Sequence, residues 1–156
     1  MRVKLHVFLA LVLVILIQHS VMSQSKSKQD PLPVVVYDEN VNDPLTSDEL
    51  LKIKEVYGDR AENDILSHSQ RLKDVKNILR NRVEIVDAGD KDMSSFTKLS
   101  QVELFNDFIP SLSRDLNFNP SDFNPLKYKF DFYSRNSAIY SVDNTTYYIV
   151  IKSQHD

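Results

Sequence analysis

Histidine is the side chain best suited to moving protons near neutral pH, and this chain holds four: His6, His19, His68 and His155. None of them stands in a His-Glu-x-x-His pair, and the 156 residues contain no cysteine. Thiol catalysis, zinc ribbons and iron–sulfur clusters are therefore excluded. Glycine is nearly as scarce. Gly58 and Gly89 are too few and too far apart for a dinucleotide fingerprint, a P-loop or a Gly-x-Ser-x-Gly elbow. What remains is carboxylate chemistry. With 22 acidic residues, pairs suited to glycoside hydrolysis can be drawn in many ways, and the sequence singles out none.

The clusters that invite a functional reading each have a plainer one. Asp87, Asp90 and Asp92 resemble the oxygen ligands of a calcium loop. Counted from Asp87, however, the sixth position, where an EF-hand needs glycine, is Asp92, and Lys91 falls among the ligands. A solvated turn is favoured. His68 lies near a helical apolar stripe and reads as a boundary residue of that helix, while His155, next to the end, reads as frayed. Arg71, Lys73, Lys76, Arg80 and Arg82 crowd one helix and suit an acidic partner or a phosphate. On an acidic chain a solvated face is favoured. Asn144-Thr145-Thr146 is a glycosylation sequon that matters only in a eukaryotic secretory pathway, so turn chemistry is preferred. No catalytic, cofactor-binding or metal-ligating residue is assigned, and no cofactor is implied.

The elements that would position such residues begin after an export signal. Arg2 and Lys4 precede an apolar run, Val7 to Ile17, and Val21-Met22-Ser23 offers a signal peptidase site, the order of a secretory signal. The run has 11 residues, against roughly 20 for a stable membrane span. Cleavage after Ser23 would leave Gln24 first, remove His6 and His19, and make the net charge of −3 two units more negative. Such a chain has no long-range attraction to nucleic acid. An exported domain without cysteine must be held by its core alone, which favours a bacterial source.

Past the signal, residues 24–45 read as a flexible leader and loop. Thr46 and Glu49 form a capping box that predicts a helix over about 47–57, ended by a left-handed Gly58. Ile65, Leu72, Val75 and Leu79 predict a second helix over about 62–81, merging into a strand at 83–86. Residues 91–125, broken by Pro110, Pro120 and Pro125, predict irregular pieces over the core. Tyr128, Phe130 and Phe132 alternate with Lys127, Lys129 and Asp131 as in a half-buried strand. Further strands follow at 139–142 and 146–152, joined by Asp143-Asn144. The last has two apolar faces and is expected in the core, the alternative being an edge that meets a partner. The fold class is α+β: two N-terminal helices packed on a C-terminal antiparallel β-meander, one domain over 46–152 with a tail at 153–156.

Several stretches carry a resemblance. The signal ending at Ser23-Gln24, Glu55-Val56-Tyr57-Gly58-Asp59, Leu79-Arg80-Asn81-Arg82-Val83, Phe123-Asn124-Pro125-Leu126-Lys127-Tyr128 and Val142-Asp143-Asn144-Thr145 look like those of small exported proteins of flavobacteria and related Bacteroidetes. That group has no assigned activity, so the resemblance implies no functional residue. The expected function is that of an exported, non-catalytic protein, periplasmic or extracellular, acting by binding or structural association with an envelope protein partner. The alternatives are a small carboxylate-dependent hydrolase and a eukaryotic secreted factor. A pocket with two convergent acids, one of raised pKa, would favour the hydrolase, and an aromatic patch would favour binding.

Overall fold

Thr46 and Glu49 start a helix as their spacing predicts. The computed structural model describes residues 34–155, so the expected signal peptide, 1–23, and the leader up to residue 33 lie outside the described residues. Helix α1 spans Ser47–Tyr57. The Thr46 hydroxyl accepts from the Glu49 N–H at 3.2 Å, and the Glu49 carboxylate accepts from the Thr46 N–H at 2.8 Å. Two backbone donors that a first turn leaves free are thereby satisfied. Ile53 and Val56 are fully buried. Gly58 ends the helix with φ +53° but ψ −132°, so its φ is positive without the left-handed helical ψ that was expected. A Cβ there would stand 3.3 Å from the Ile109 side chain, so conformation and space both favour glycine.

The second helix is interrupted. The segment expected over 62–81 is a π-helical turn at Glu62–Leu66, helix α2 at Ser69–Asn77, and a second π-helical turn at Ile78–Arg82. Ser67 accounts for the break: its N–H and its hydroxyl both donate to the Glu62 carbonyl, a local alternative to helix propagation. His68 follows with extended backbone. Ile65, Val75 and Ile78 are nevertheless buried, with Leu72 and Leu79 at their margin, so the apolar stripe survives the interruption.

Among the described residues four strands form one mixed sheet: β1 (Val83–Asp87), β2 (Thr97–Lys98), β3 (Ala138–Ser141) and β4 (Tyr147–Ile151), in the order β1-β4-β3-β2. β4 is antiparallel to β1 and β3, whereas β2 runs parallel to β3. The class is α+β. The antiparallel meander is matched only in part, because β1 comes from the middle of the chain and β2 adds a parallel pairing. β4 is interior to the sheet, not an edge. Ile85, Ile149 and Tyr140 pair across it, and this face joins Ile53, Val56, Ile65, Val75 and Ile78 in one core. Asn144, at φ +57°, turns β3 into β4.

Residues 128–132 are not a ladder strand. The Phe130 N–H donates to the Tyr128 carbonyl at 2.8 Å and the Phe132 N–H to the Phe130 carbonyl at 2.9 Å, the closure of successive γ-turns. Among the described residues only Leu104 bridges this segment, opposite Tyr128. The alternation holds from Tyr128 on, with Tyr128, Phe130 and Phe132 buried and Lys129 and Asp131 exposed, but fails at Lys127, which is buried against Asp115 and Glu55. Residues 34–45 also pack more than a leader would. Val41 is buried, the Tyr37 hydroxyl donates to Asp74, and the Val36 N–H donates to the Gln154 carbonyl. Among the described residues no helix is long and apolar enough to cross a membrane.

Candidate aromatic cleft

The buried ribbon at 128–132 lays three rings in sequence, and other elements bring rings to meet them. Tyr128 and Phe130 stack with centroids 5.4 Å apart, and Phe132 meets Phe130 edge-on at 5.8 Å. Tyr57, at the last turn of α1, packs on Phe105 at 5.8 Å and on Phe108 at 5.5 Å. These two phenylalanines lie on the loop that crosses Gly58, where Ile109 makes its close approach. Ile65, from the first π-helical turn, and Val75, from α2, join these rings in lining a cleft of about 810 Å³. A second hollow, near Leu79, Ile85, Pro120 and Phe123, measures about 360 Å³.

Charge sits at the rim. Arg60 grips Asp64 with two nitrogens, at 2.7 and 3.2 Å, and holds that carboxyl below its ordinary range. The same guanidinium lies 4.8 Å above the Phe108 ring. Asp107 faces Lys129 at 3.3 Å. Asp74 accepts from the Tyr37 hydroxyl and from the Gln70 amide. All three rim acids are thus engaged, and Asp64 is shifted opposite to the direction a general acid requires. Burial, followed by the charge of Tyr133 and Asp64, pushes the Tyr57 hydroxyl up, so it stays a neutral donor.

The residues singled out from the sequence are dispersed. His68 is exposed at the break before α2, not within a helix. His155 is half-buried rather than frayed, its N–H donating to the Ser153 hydroxyl at 3.1 Å. Asp87, Asp90 and Asp92 lie exposed, and Asp87 and Asp92 accept from the N–H groups of Gly89 and Ser94 two residues on. Among the described residues no three His, Asp or Glu side chains are placed to hold a metal.

The basic group is not the solvated face that was favoured. Lys76 and Arg82 are buried: Lys76 donates to the Asp43 carbonyl, and Arg82 to those of Phe132 and Lys152. Arg80 pairs with Glu49, and Lys73 stands 4.3 Å above the Tyr37 ring. Lys73, Lys76 and Arg80 are covered because residues 37–44 lie against α2 and the turn that follows it, which their polar composition did not suggest, and Arg82 because the Phe132 and Lys152 carbonyls close over it. Only Arg71, donating to the Asp64 carbonyl at 3.0 Å, belongs to the cleft. Sequence reasoning missed the cleft rings as a site. The signal was present in Tyr128, Phe130 and Phe132, read there as core alone.

No family model matches this chain, and no curated protein or solved structure matches it.

Proposed function

We propose that this is an exported, non-catalytic protein that works by binding, and that the aromatic cleft receives its ligand. One observation carries the proposal: rings from the end of α1, the 105–108 loop and the 128–132 ribbon converge on an open volume of about 810 Å³. That lies within the roughly 300–1,000 Å³ common to small-molecule sites. The lining suits a flat apolar body, which would stack on Tyr57 and Phe108 and displace water from rings that water solvates poorly. A hydrolase built on the rim acids would need one carboxyl held neutral, and the Arg60–Asp64 pairing works against that. Export is supported by the order of residues 1–23, and a chain that is cysteine-free and resembles Bacteroidetes proteins fits a bacterial envelope or its exterior.

The test is a titration of the chain beginning at Gln24 with 2-naphthamide, a flat neutral probe. The protein has no tryptophan, so naphthalene fluorescence reports binding directly. One saturable site is expected, weakened about ten-fold in Phe108→Ala by loss of a ring contact. Absence of saturation, or an affinity indifferent to Phe108→Ala, would refute the assignment.

A further inference from the structure

The cleft is not electrostatically even around its rim. At the corner where α1, the first π-helical turn and α2 meet, two guanidiniums are held by one residue, Asp64. Arg60 binds both Asp64 oxygens, and Arg71 donates to the Asp64 main-chain carbonyl while its charge also bears on that carboxylate. Among the described residues Arg71 has no carboxylate within ion-pair distance. Counting Arg60, Arg71 and Asp64, the corner therefore keeps about one unit of positive charge. At the other positions of the rim Lys129 faces Asp107, and Asp74 keeps its negative charge, since the Tyr37 hydroxyl and the Gln70 amide that donate to it are neutral.

The Tyr57 ring lines the cleft at this same corner, and its hydroxyl is close enough to feel the charges of Asp64 and Arg71. That hydroxyl remains protonated well above neutral pH, so it offers a hydrogen bond without adding negative charge. Arg71 is exposed, and with one nitrogen committed to a carbonyl it retains a planar fork of donors. A fork beside a neutral phenol, at the edge of an apolar slot, matches a carboxylate attached directly to a flat ring.

The geometry points to a small aromatic carboxylate as the ligand, its ring in the aromatic cleft and its carboxylate on Arg71 with the Tyr57 hydroxyl beside it. The inference rests on the cleft being the binding site and adds the polarity of what binds. Apolar stacking alone would take an aromatic acid and its amide equally. The uncompensated corner would favour the acid and lose that preference in salt.

The experiment compares 2-naphthoate with 2-naphthamide on the chain beginning at Gln24. The acid is expected to bind roughly three- to ten-fold tighter, as suits a charge-assisted contact at a partly exposed site. The ratio of the two affinities should fall to about one in Arg71→Gln, recover in part in Arg71→Lys, and shrink as ionic strength rises. Equal affinities in the parent chain, or a preference that survives Arg71→Gln, would overturn the inference and leave the cleft assignment standing. If neither probe saturates, the cleft assignment itself fails, and this inference with it.

Discussion

Glu49 serves two elements at once, and its protonation state couples them. Its carboxylate caps α1 at the Thr46 N–H and pairs with Arg80, whose Nη2 lies 2.7 Å away. The Arg80 hydrogen bond, followed by the opposing effect of burial and the Thr46 hydrogen bonds, lowers its pKa from 4.5 to about 2. A carboxyl whose folded pKa is depressed stabilises the fold fully above its unfolded value and loses that contribution as pH falls through the folded one. Stability should therefore decline between about pH 4.5 and about pH 2. After allowance for solvent screening, this one group should account for about 2 kcal/mol. Chemical denaturation of Glu49→Gln should show lower stability at neutral pH and a shallower acid dependence than the parent. An unchanged acid profile would show that the pair does not couple the elements. Asn124 and Lys127 join elements in the same way. Asn124 donates to the Lys52 carbonyl and to Glu55, and the buried Lys127 amine lies 2.6 Å from Asp115 and 3.2 Å from Glu55. All six residues from Phe123 to Tyr128, a stretch that carried the family resemblance, are buried. Their part is to hold α1 against the ribbon.

Among the elements, β4 bears most on stability because both its neighbours depend on it. Among the described residues it alone pairs with β1, and it forms the hairpin with β3. Ile149 is fully buried, so Ile149→Ala should cost about 2–5 kcal/mol, read as a lower denaturant midpoint with unchanged slope. Tyr148 projects from the opposite face, is half-buried, and packs 6.0 Å from Phe96. Tyr148→Ser should therefore cost less, about 1 kcal/mol. A larger loss for Tyr148→Ser than for Ile149→Ala would mean that the burial of the two faces is reversed. The strands β1, β3 and β4 were legible because β-branched and aromatic residues alternate between turn residues, and α1 because its cap lies within four residues. What was not legible depended on partners distant in sequence. The Ser67 hydroxyl breaks a helix whose apolar stripe is continuous. β2 is two residues long and exists only because β3 lies beside it. Period-two alternation at 128–132 reports which rings are buried and leaves open whether the backbone makes a ladder or γ-turns.

At the scale of the molecule, the interruptions in regular structure coincide with the site. The first π-helical turn places Asp64 and Ile65, the bend at Gly58 admits the loop bearing Phe105 and Phe108, and the γ-turn ribbon presents Tyr128, Phe130 and Phe132. The cleft was therefore the part least visible in the sequence, since it is built from the segments whose local pattern misled. The most direct test of the binding assignment is a residue-resolved NMR titration of the chain beginning at Gln24 with 2-naphthamide. The aromatic resonances of Tyr57, Phe105, Phe108, Tyr128 and Phe130 should shift together and saturate at one equivalent, while Phe96 and Tyr148 on the far face of the sheet stay in place. Shifts centred on Phe96 and Tyr148, or none at the cleft rings, would contradict the account.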